Sequence, residues 1–301
     1  MASGQAPHAP HSTPCVVPNP HGPPIPVGPD HPLLVIAGPC TLESKDLGLA
    51  VGSALKQACD AAGLPYVFKA SFDKANRSSA GSPRGPGIDE GLRWLADIGA
   101  ELGCPVTTDV HLPEQAAPVA EVAGIIQIPA FLCRQSDLLE AAARAATPKG
   151  AVVNVKKGQF LSPREMMGPI KKLHEAGCDN AMLTERGTFF GYHRLVNDFV
   201  GIGDMMALDR SAFSGLGPAP VCFDATHSTQ LPGSGEQTGG RPERSGMLAL
   251  AAVAAGVHAL FIESHPDPEH AWSDGATQLT PDAAASVIAR CARLRVAMSE
   301  D

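Results

Sequence analysis

The amino-acid sequence predicts a single (β/α)8 TIM barrel, and three observations support this fold class. Eight short apolar runs, typical of strands buried on both faces, follow one another after residue 30. Segments with apolar residues three or four positions apart, typical of amphipathic helices, separate these runs. Eight strand–helix units in roughly 270 residues match the usual size of the fold. The rival is a doubly wound open sheet, which favours a GxGxxG turn after its first strand, whereas this chain has Gly38-Pro39-Cys40 there.

The apolar runs give the predicted strands in chain order. They lie at residues 33–37, 66–70, 106–109, 125–128, 151–156, 181–184, 221–224 and 259–263. Helix-start signals fall between them: residues 162–165 form a Ser-Pro-Arg-Glu capping box, and Thr280 precedes a proline at the first helical position. Gly177 ends the helix that the capping box begins.

Residues 1–30 differ from the rest of the chain. They are rich in proline, histidine, glycine and serine and carry no apolar periodicity. This composition predicts a disordered tail over residues 1–30, followed by a catalytic barrel domain over residues 31–301.

Composition excludes several classes of partner. The net charge of −8, from 23 basic and 31 acidic residues, and the lack of a basic stripe argue against nucleic acid. The uncharged, alanine-rich run at residues 245–262 is explained better by a helix leading into a strand than by a membrane span. The eight cysteines are scattered without a CxxC pair, and no secretory signal is evident. We therefore expect reduced thiols in a cytoplasmic protein with no nucleic-acid or membrane partner.

The run KASFDKANRSS at residues 69–79 extends from the end of the second predicted strand. Its cations and hydroxyls favour a phosphate site, and the alternative is a solvated basic turn. A wider cationic set would face the same cleft in a barrel: Lys69, Lys74, Arg77, Lys157 and Arg186. Five positive charges repel one another unless anions compensate them, so this set predicts a ligand with several anionic groups, or two phosphorylated ligands.

Polar residues occur at the carboxyl end of every predicted strand, where TIM barrels carry their active sites. One subset can bind a metal: Cys40, His227, Glu263 and Asp274. A thiolate, an imidazole and two carboxylates suit Zn, Fe, Mn or Co. Their spacing in the sequence is too sparse to establish a site by itself.

Several ordered motifs resemble those of the 3-deoxy-D-manno-octulosonate 8-phosphate synthase family, over about residues 33–298. They are the 69–79 run, QIPAFL at 127–132, NVKK at 154–157, TERG at 184–187, DATH at 224–227 and FIE at 261–263. The resemblance implies a (β/α)8 barrel, usually a homotetramer. It also implies a transferase that condenses phosphoenolpyruvate with arabinose 5-phosphate, releases phosphate and serves lipopolysaccharide biosynthesis.

The resemblance also implies roles for individual residues. Cysteine in the first strand-end motif marks the metal-dependent branch, with Cys40, His227, Glu263 and Asp274 as ligands of a divalent ion. Whether that ion orients the aldehyde or activates water stays open. Catalytic roles fall on Lys69, Lys74, Asp109, Lys157 and His227. Phosphoenolpyruvate would be held by Lys69, Ser71, Lys74, Lys157 and Arg186, and the sugar phosphate by Asn76, Arg77 and Ser78. The pocket would be lined by Asp109, Gln127, Ala130 and Phe131.

Two alternatives remain from the sequence. A sister family condenses phosphoenolpyruvate with erythrose 4-phosphate, but it carries Lys-Pro-Arg-Thr where this chain has the residues that begin at Lys74. A non-catalytic barrel that senses sugar phosphates is the second, although a sensor has no need of the four metal-capable residues. One departure from the synthase pattern, Ala-Gly-Ser-Pro at residues 80–83, leaves the loop after Ser79 undefined.

Overall fold

The computed structural model describes residues 12–74, 84–233 and 238–298, in which strands and helices alternate. The strands are β1 (Cys15–Val17), β2 (Ile25–Val27), β3 (Leu34–Gly38), β4 (Tyr66–Lys69), β5 (Val106–Asp109), β6 (Ile125–Ile128), β7 (Val152–Lys156), β8 (Ala181–Glu185), β9 (Thr188–Gly191), β10 (Arg194–Val196), β11 (Val221–Asp224), β12 (Gln230–Leu231), β13 (Gly239–Gly240) and β14 (Ala259–Glu263). The helices are α1 (Lys45–Ala61), α2 (Ile88–Leu102), α3 (Ala116–Ala120), α4 (Ser136–Ala146), α5 (Met167–Glu175), α6 (Phe199–Met206), α7 (Ser211–Ser214), α8 (Ser245–Ala254) and α9 (Pro281–Ala297).

Eight of these strands form a closed parallel barrel. In order around the barrel they are β3, β4, β5, β6, β7, β8, β11 and β14, and β14 pairs with β3 to complete the circle. The TIM-barrel prediction is confirmed, and each barrel strand begins and ends within one residue of its predicted bounds. The closing pair rules out the open-sheet alternative.

The barrel strands bury both faces, which explains their nearly continuous apolar sequences. In β7, Val152 belongs to the apolar cluster inside the barrel, whereas Val153 and Val155 belong to the cluster shared with the surrounding helices. Alternation along the strand therefore sends every second side chain into the barrel. The last such positions, at the carboxyl end, point into the site.

Helix caps position the connections that follow the strands. The Ser44 hydroxyl accepts a hydrogen bond from the Leu47 N–H at the start of α1, and Thr280 does the same for the Ala283 N–H at the start of α9. The predicted capping box at Ser162 is present. It begins a short 3₁₀ turn that leads into α5.

Residues 12–30 differ from the predicted disordered tail. β1 and β2 form an antiparallel hairpin, and Cys15, Val17 and Val27 are fully buried against the inward-facing residues of the barrel. The Asn180 side chain also bonds both backbone groups of Val16, so the hairpin covers the end of the barrel where the strands begin. Each strand has only three residues, too few to show a period, and its apolar side chains are buried only because the barrel offers a surface.

Among the described residues, no helix has the length and apolar character needed to cross a membrane.

Candidate active site

A chain of buried hydrogen bonds runs across five strand ends at the carboxyl end of the barrel. Lys74 Nζ donates to Ser71 Oγ at 3.0 Å, and Ser71 Oγ donates to Asp109 Oδ2 at 2.7 Å. Gln127 donates to the other oxygen of Asp109. Asn154 and Thr184 continue the chain into β7 and β8. The network holds Lys74 and Asp109 in fixed positions, because each polar group in it has a buried partner.

Asp109 is an ionised carboxylate in this network. Burial alone would raise its pKa, but Lys69, Lys74 and Lys156 outweigh burial and hold the pKa well below its usual value. Burial likewise disfavours the charged form of Lys74, yet the acidic groups around it raise its pKa. Asp109 therefore accepts hydrogen bonds at neutral pH and cannot serve as a proton donor.

The four metal-capable residues predicted from the sequence meet in space. One ligand atom from each of Cys40, His227, Glu263 and Asp274 lies within 4.8 Å of the others. Cys40 Sγ is 3.2 Å from Asp274 Oδ2, and His227 Nε2 is 3.3 Å from Glu263 Oε2. The cluster is a candidate metal centre, formed by three strand ends and the loop after β14.

The surroundings of His227 fit a metal ligand. Its Nδ1 lies 2.7 Å from Asp224 Oδ2, which leaves Nε2 directed at the cluster. A carboxylate behind the imidazole is the usual arrangement that fixes a ligating histidine. Glu263 Oε2 is buried and has no hydrogen-bond partner among the described residues, as expected for an oxygen reserved for a cation.

Local backbone geometry brings the cluster together. A Cβ atom on Gly38 would lie 2.0 Å from the carbonyl oxygen of Lys69, so only glycine allows β3 and β4 to approach this closely before Cys40. Asp274 has a φ of +50°, a left-handed conformation that costs free energy for a non-glycine residue. Such strain is typical of functional positions, and here it places the carboxylate beside Cys40.

A cavity of about 740 Å³ opens beside the cluster. Three cations line it, Lys74, Lys156 and Arg186, together with His227, Glu263 and Asp274. Burial lowers the pKa of Arg186, and carboxylates around the site partly offset that effect. The arrangement places positive charge for an anionic ligand next to a group of cation ligands.

The structure distinguishes two adjacent lysines. Lys156 lines the cavity, with Nζ 2.7 Å from Asp224 Oδ2 and 3.8 Å from the centroid of the Phe261 ring. Lys157, the residue implied by the family resemblance, is fully buried outside the cavity lining. Its Nζ donates to the Leu161 carbonyl and pairs with Glu185 at 3.4 Å. The period of two in β7 explains this, since Lys156 shares the inward face of Asn154, and that rule could have identified it from the sequence.

The other predicted residues fall into three groups. Ala130, Phe131, Asp109 and Gln127 line the cavity with Lys74 and Arg186. Lys69 and Ser71 lie beneath it, where Lys69 pairs with Glu263 and donates to the Cys40 carbonyl at 3.0 Å. Asn76, Arg77 and Ser78 lie outside the described residues. The sequence prediction missed cavity residues that lie outside the barrel strands, among them His111, Gln159, Gln230 and Trp272.

The sequence model of the DAHP synthetase I family matches residues 12–298. This chain belongs to that family. Its relatives include 2-dehydro-3-deoxyphosphooctonate aldolases. The one from Nitratidesulfovibrio vulgaris strain DP4 is 56% identical over 242 residues, which are 80% of this chain and 84% of the relative. The one from Desulfotalea psychrophila is 47% identical over 96% of this chain and 99% of the relative. The one from Bordetella pertussis is 47% identical over 87% and 90%.

These relatives confirm the resemblance stated from the motifs. Their name describes the same eight-carbon phosphorylated keto acid as the synthase family proposed from the sequence. The matched residues, 12–298, include all eight barrel strands.

Proposed function

We propose that this chain condenses phosphoenolpyruvate with D-arabinose 5-phosphate and water, giving 3-deoxy-D-manno-octulosonate 8-phosphate and inorganic phosphate. The observation that carries the proposal is the cavity, in which Lys74, Lys156 and Arg186 lie beside the cluster of Cys40 and its three partners. Phosphoenolpyruvate has a carboxylate and a phosphate, which need such cations. The relatives' names, which describe this product, favour it over the product of the erythrose 4-phosphate synthase.

The chemistry requires positioning above all. C3 of phosphoenolpyruvate bonds to the aldehyde carbon, the aldehyde oxygen gains a proton, water adds to C2, and phosphate leaves C2 as the ketone forms. The three cavity cations hold the anionic groups so that C3 faces the aldehyde, and fixed geometry of this kind supplies much of an enzyme's rate. His227, oriented by Asp224, and ionised Asp109 complete the polar wall.

The residues of the cluster would hold a divalent ion: Cys40, His227, Glu263 and Asp274. When bound, the ion would supply Lewis-acid stabilisation of charge that develops on oxygen. A chelator should remove activity, and a divalent ion should restore it. Cys40→Ala should lose bound metal by elemental analysis as well as rate. Full turnover by protein that elemental analysis shows to be metal-free contradicts this part of the proposal.

Phosphate release is the test of the reaction. Purified protein is assayed with phosphoenolpyruvate and either arabinose 5-phosphate or erythrose 4-phosphate. Release that depends on arabinose 5-phosphate supports the proposal, and a preference for erythrose 4-phosphate supports the sister reaction. If neither sugar gives release while both substrates bind, the chain is a sugar-phosphate sensor.

The distal phosphate of the sugar is assigned to Asn76, Arg77 and Ser78. In the sequence Arg77 lies eight residues beyond Lys69, past the predicted end of the strand, and its planar guanidinium suits phosphate oxygens. Arg77→Ala should weaken the binding of arabinose 5-phosphate by about 2–4 kcal/mol. The binding of phosphoenolpyruvate should change much less. Paired steady-state titrations measure both. A larger loss for phosphoenolpyruvate would reverse this division of the cleft.

We also propose a cytoplasmic homotetramer. All eight cysteines are free and buried, which supports a reducing compartment. Three large apolar side chains that lie close together in the sequence are exposed: Phe190 (96%), Tyr192 (94%) and Val200 (77%). Exposed apolar surface of this kind supports association between copies. Light scattering should give a tetramer, and Val200→Asp should shift it to smaller species; a wild-type monomer contradicts the proposal.

A further inference from the structure

Gln230 joins the two halves of the active-site cavity. Its Oε1 accepts a hydrogen bond from Arg186 Nη2 at 2.5 Å, and its Nε2 donates to Asp274 Oδ1 at 3.0 Å. Arg186 belongs to the cationic side of the cavity and Asp274 to the metal-capable cluster. One partly buried amide therefore bridges the anion-binding and cation-binding sides.

The chemistry of the two partners fixes the orientation of the amide. A guanidinium only donates hydrogen bonds, and a carboxylate only accepts them. Glutamine satisfies both at once. Glutamate would place a second negative charge against Asp274, and methionine would offer neither hydrogen bond.

Each partner also has a second polar group that faces its own side of the cavity. Arg186 is 5% exposed, and its buried Nη1 has no hydrogen-bond partner among the described residues. An anion in the cavity can accept a hydrogen bond from Nη1. The second oxygen of Asp274, Oδ2, accepts hydrogen bonds from the Cys40 thiol at 3.2 Å and from Ser273 Oγ at 3.0 Å, and the residue has a φ of +50°. The hydrogen bond from Gln230 supports this strained carboxylate on the side away from the thiol.

We propose that Gln230 is a positioning residue that couples phosphoenolpyruvate binding at Arg186 to divalent-ion binding at the Cys40–His227–Glu263–Asp274 cluster. This inference rests on the proposed function. An anion bound to Arg186 restricts the motion of the guanidinium, and the hydrogen bond to Gln230 then restricts the Gln230 amide. The amide in turn holds the Asp274 carboxylate in the orientation that a bound cation needs. Coupling of this kind is reciprocal, so the bound ion raises the affinity for phosphoenolpyruvate by the same factor.

The test measures binding, with no turnover required. Co²⁺ is titrated into metal-free protein, and its thiolate charge-transfer absorption is followed with and without saturating phosphoenolpyruvate. In the wild type we expect phosphoenolpyruvate to raise Co²⁺ affinity about tenfold, within the usual range of coupling between sites. Gln230→Met should reduce that factor to about twofold, the remainder reflecting direct attraction between anion and cation.

Gln159→Met is the matched control. Gln159 is a buried glutamine that lines the same cavity, and its Oε1 has no hydrogen-bond partner among the described residues. This variant should keep the wild-type coupling factor. Circular dichroism verifies folding, and Gln230→Glu, which keeps an acceptor for Arg186 but repels Asp274, replaces the methionine variant if that one fails to fold.

An unchanged factor in a folded Gln230 variant overturns the inference, as does equal loss in the Gln159 control. A wild type that turns over but shows no coupling also overturns it while leaving the proposed function intact. Failure of the proposed function is separate, since it appears as absent phosphate release in the wild type.

Discussion

The two ends of the barrel close the same eight strands by opposite means. Where the strands begin, the hairpin β1–β2 covers the barrel with Cys15, Val17 and Val27, all buried against apolar side chains. Where the strands end, buried charged pairs such as Lys69–Glu263 and Lys156–Asp224 lie around the cavity. Burying charge costs free energy unless each group is paired, whereas burying apolar surface stabilises directly. The first end therefore supplies stability, and the second supplies chemistry at some cost in stability.

Changes at the carboxyl end should affect turnover most. Lys156→Met removes a cation that lines the cavity and pairs with Asp224 at 2.7 Å. We expect kcat/KM to fall about 10³-fold, near 4 kcal/mol, as when a preorganised charge-stabilising group is lost. The thermal midpoint should fall as well, but by less than in Lys157→Met, because Asp224 keeps its hydrogen bonds with the backbone N–H and Nδ1 of His227. Steady-state assays and calorimetry on the same sample measure both quantities.

Lys157→Met is the matched comparison, because it removes the neighbouring lysine from outside the cavity. Lys157 is fully buried against Glu185, so its loss leaves an uncompensated carboxylate. The free energy of unfolding should drop by about 3–4 kcal/mol, with a smaller effect on KM for phosphoenolpyruvate than in Lys156→Met. If KM rises more in Lys157→Met, Lys157 is the phosphoenolpyruvate ligand after all.

Deleting residues 1–30 should affect the opposite end. Loss of the hairpin exposes the inner ends of the strands and should lower the free energy of unfolding by about 3 kcal/mol. This expected loss is smaller than the free energy gained by burying three apolar side chains, because ordering the hairpin has an entropic cost. Deleting only residues 1–11 keeps the hairpin and serves as the control. Denaturant unfolding measures both, and equal stability of the two truncated proteins would mean that the hairpin contributes nothing.

Acid should weaken the hairpin end through His258. Its Nδ1 accepts a hydrogen bond from the Val221 N–H at 2.9 Å, and burial, with a smaller contribution from Arg295, lowers its pKa to about 4. Between the unfolded pKa near 6.5 and the folded value, only the unfolded chain takes up the proton. This contribution to stability is complete above about pH 6.5 and decreases as the pH falls, by about 2 kcal/mol near pH 4.5.

His258→Asn keeps an acceptor for Val221 without a titrating group, so it should flatten the dependence of unfolding free energy on pH. His270→Asn changes an imidazole with a 79% exposed side chain and should leave the dependence unchanged. Denaturant unfolding at a series of pH values decides the matter. Parallel curves for the wild type and His258→Asn would contradict the role given to His258.

Local sequence predicted what depends on one strand at a time. The barrel strands appear as apolar runs because both faces are buried, and a polar residue after each run marks the catalytic end. Cys40, His227 and Glu263 could therefore be placed on one rim from the sequence. Their convergence within 4.8 Å required the closed barrel.

Three features depended on contacts between distant segments. The hairpin residues become buried only against a completed barrel, so composition alone indicated disorder. The role proposed for Gln230 depends on its hydrogen bonds with Arg186 and Asp274, each 44 residues away along the chain. Strand register decides which of Lys156 and Lys157 faces the cavity, because a shift of one residue moves a side chain to the opposite face of the strand.

The sequence by itself determined the number and order of the barrel strands, the end of the barrel that carries the chemistry, and the kinds of side chain available there. Tertiary structure decided which of those side chains face the cavity, how the barrel is closed at the other end, and which polar groups pair. The physical reason is the distance along the chain over which each signal acts. Burial periodicity and helix caps involve residues a few positions apart. Buried charges, in contrast, are stabilised only by partners that the closed barrel brings within hydrogen-bond distance.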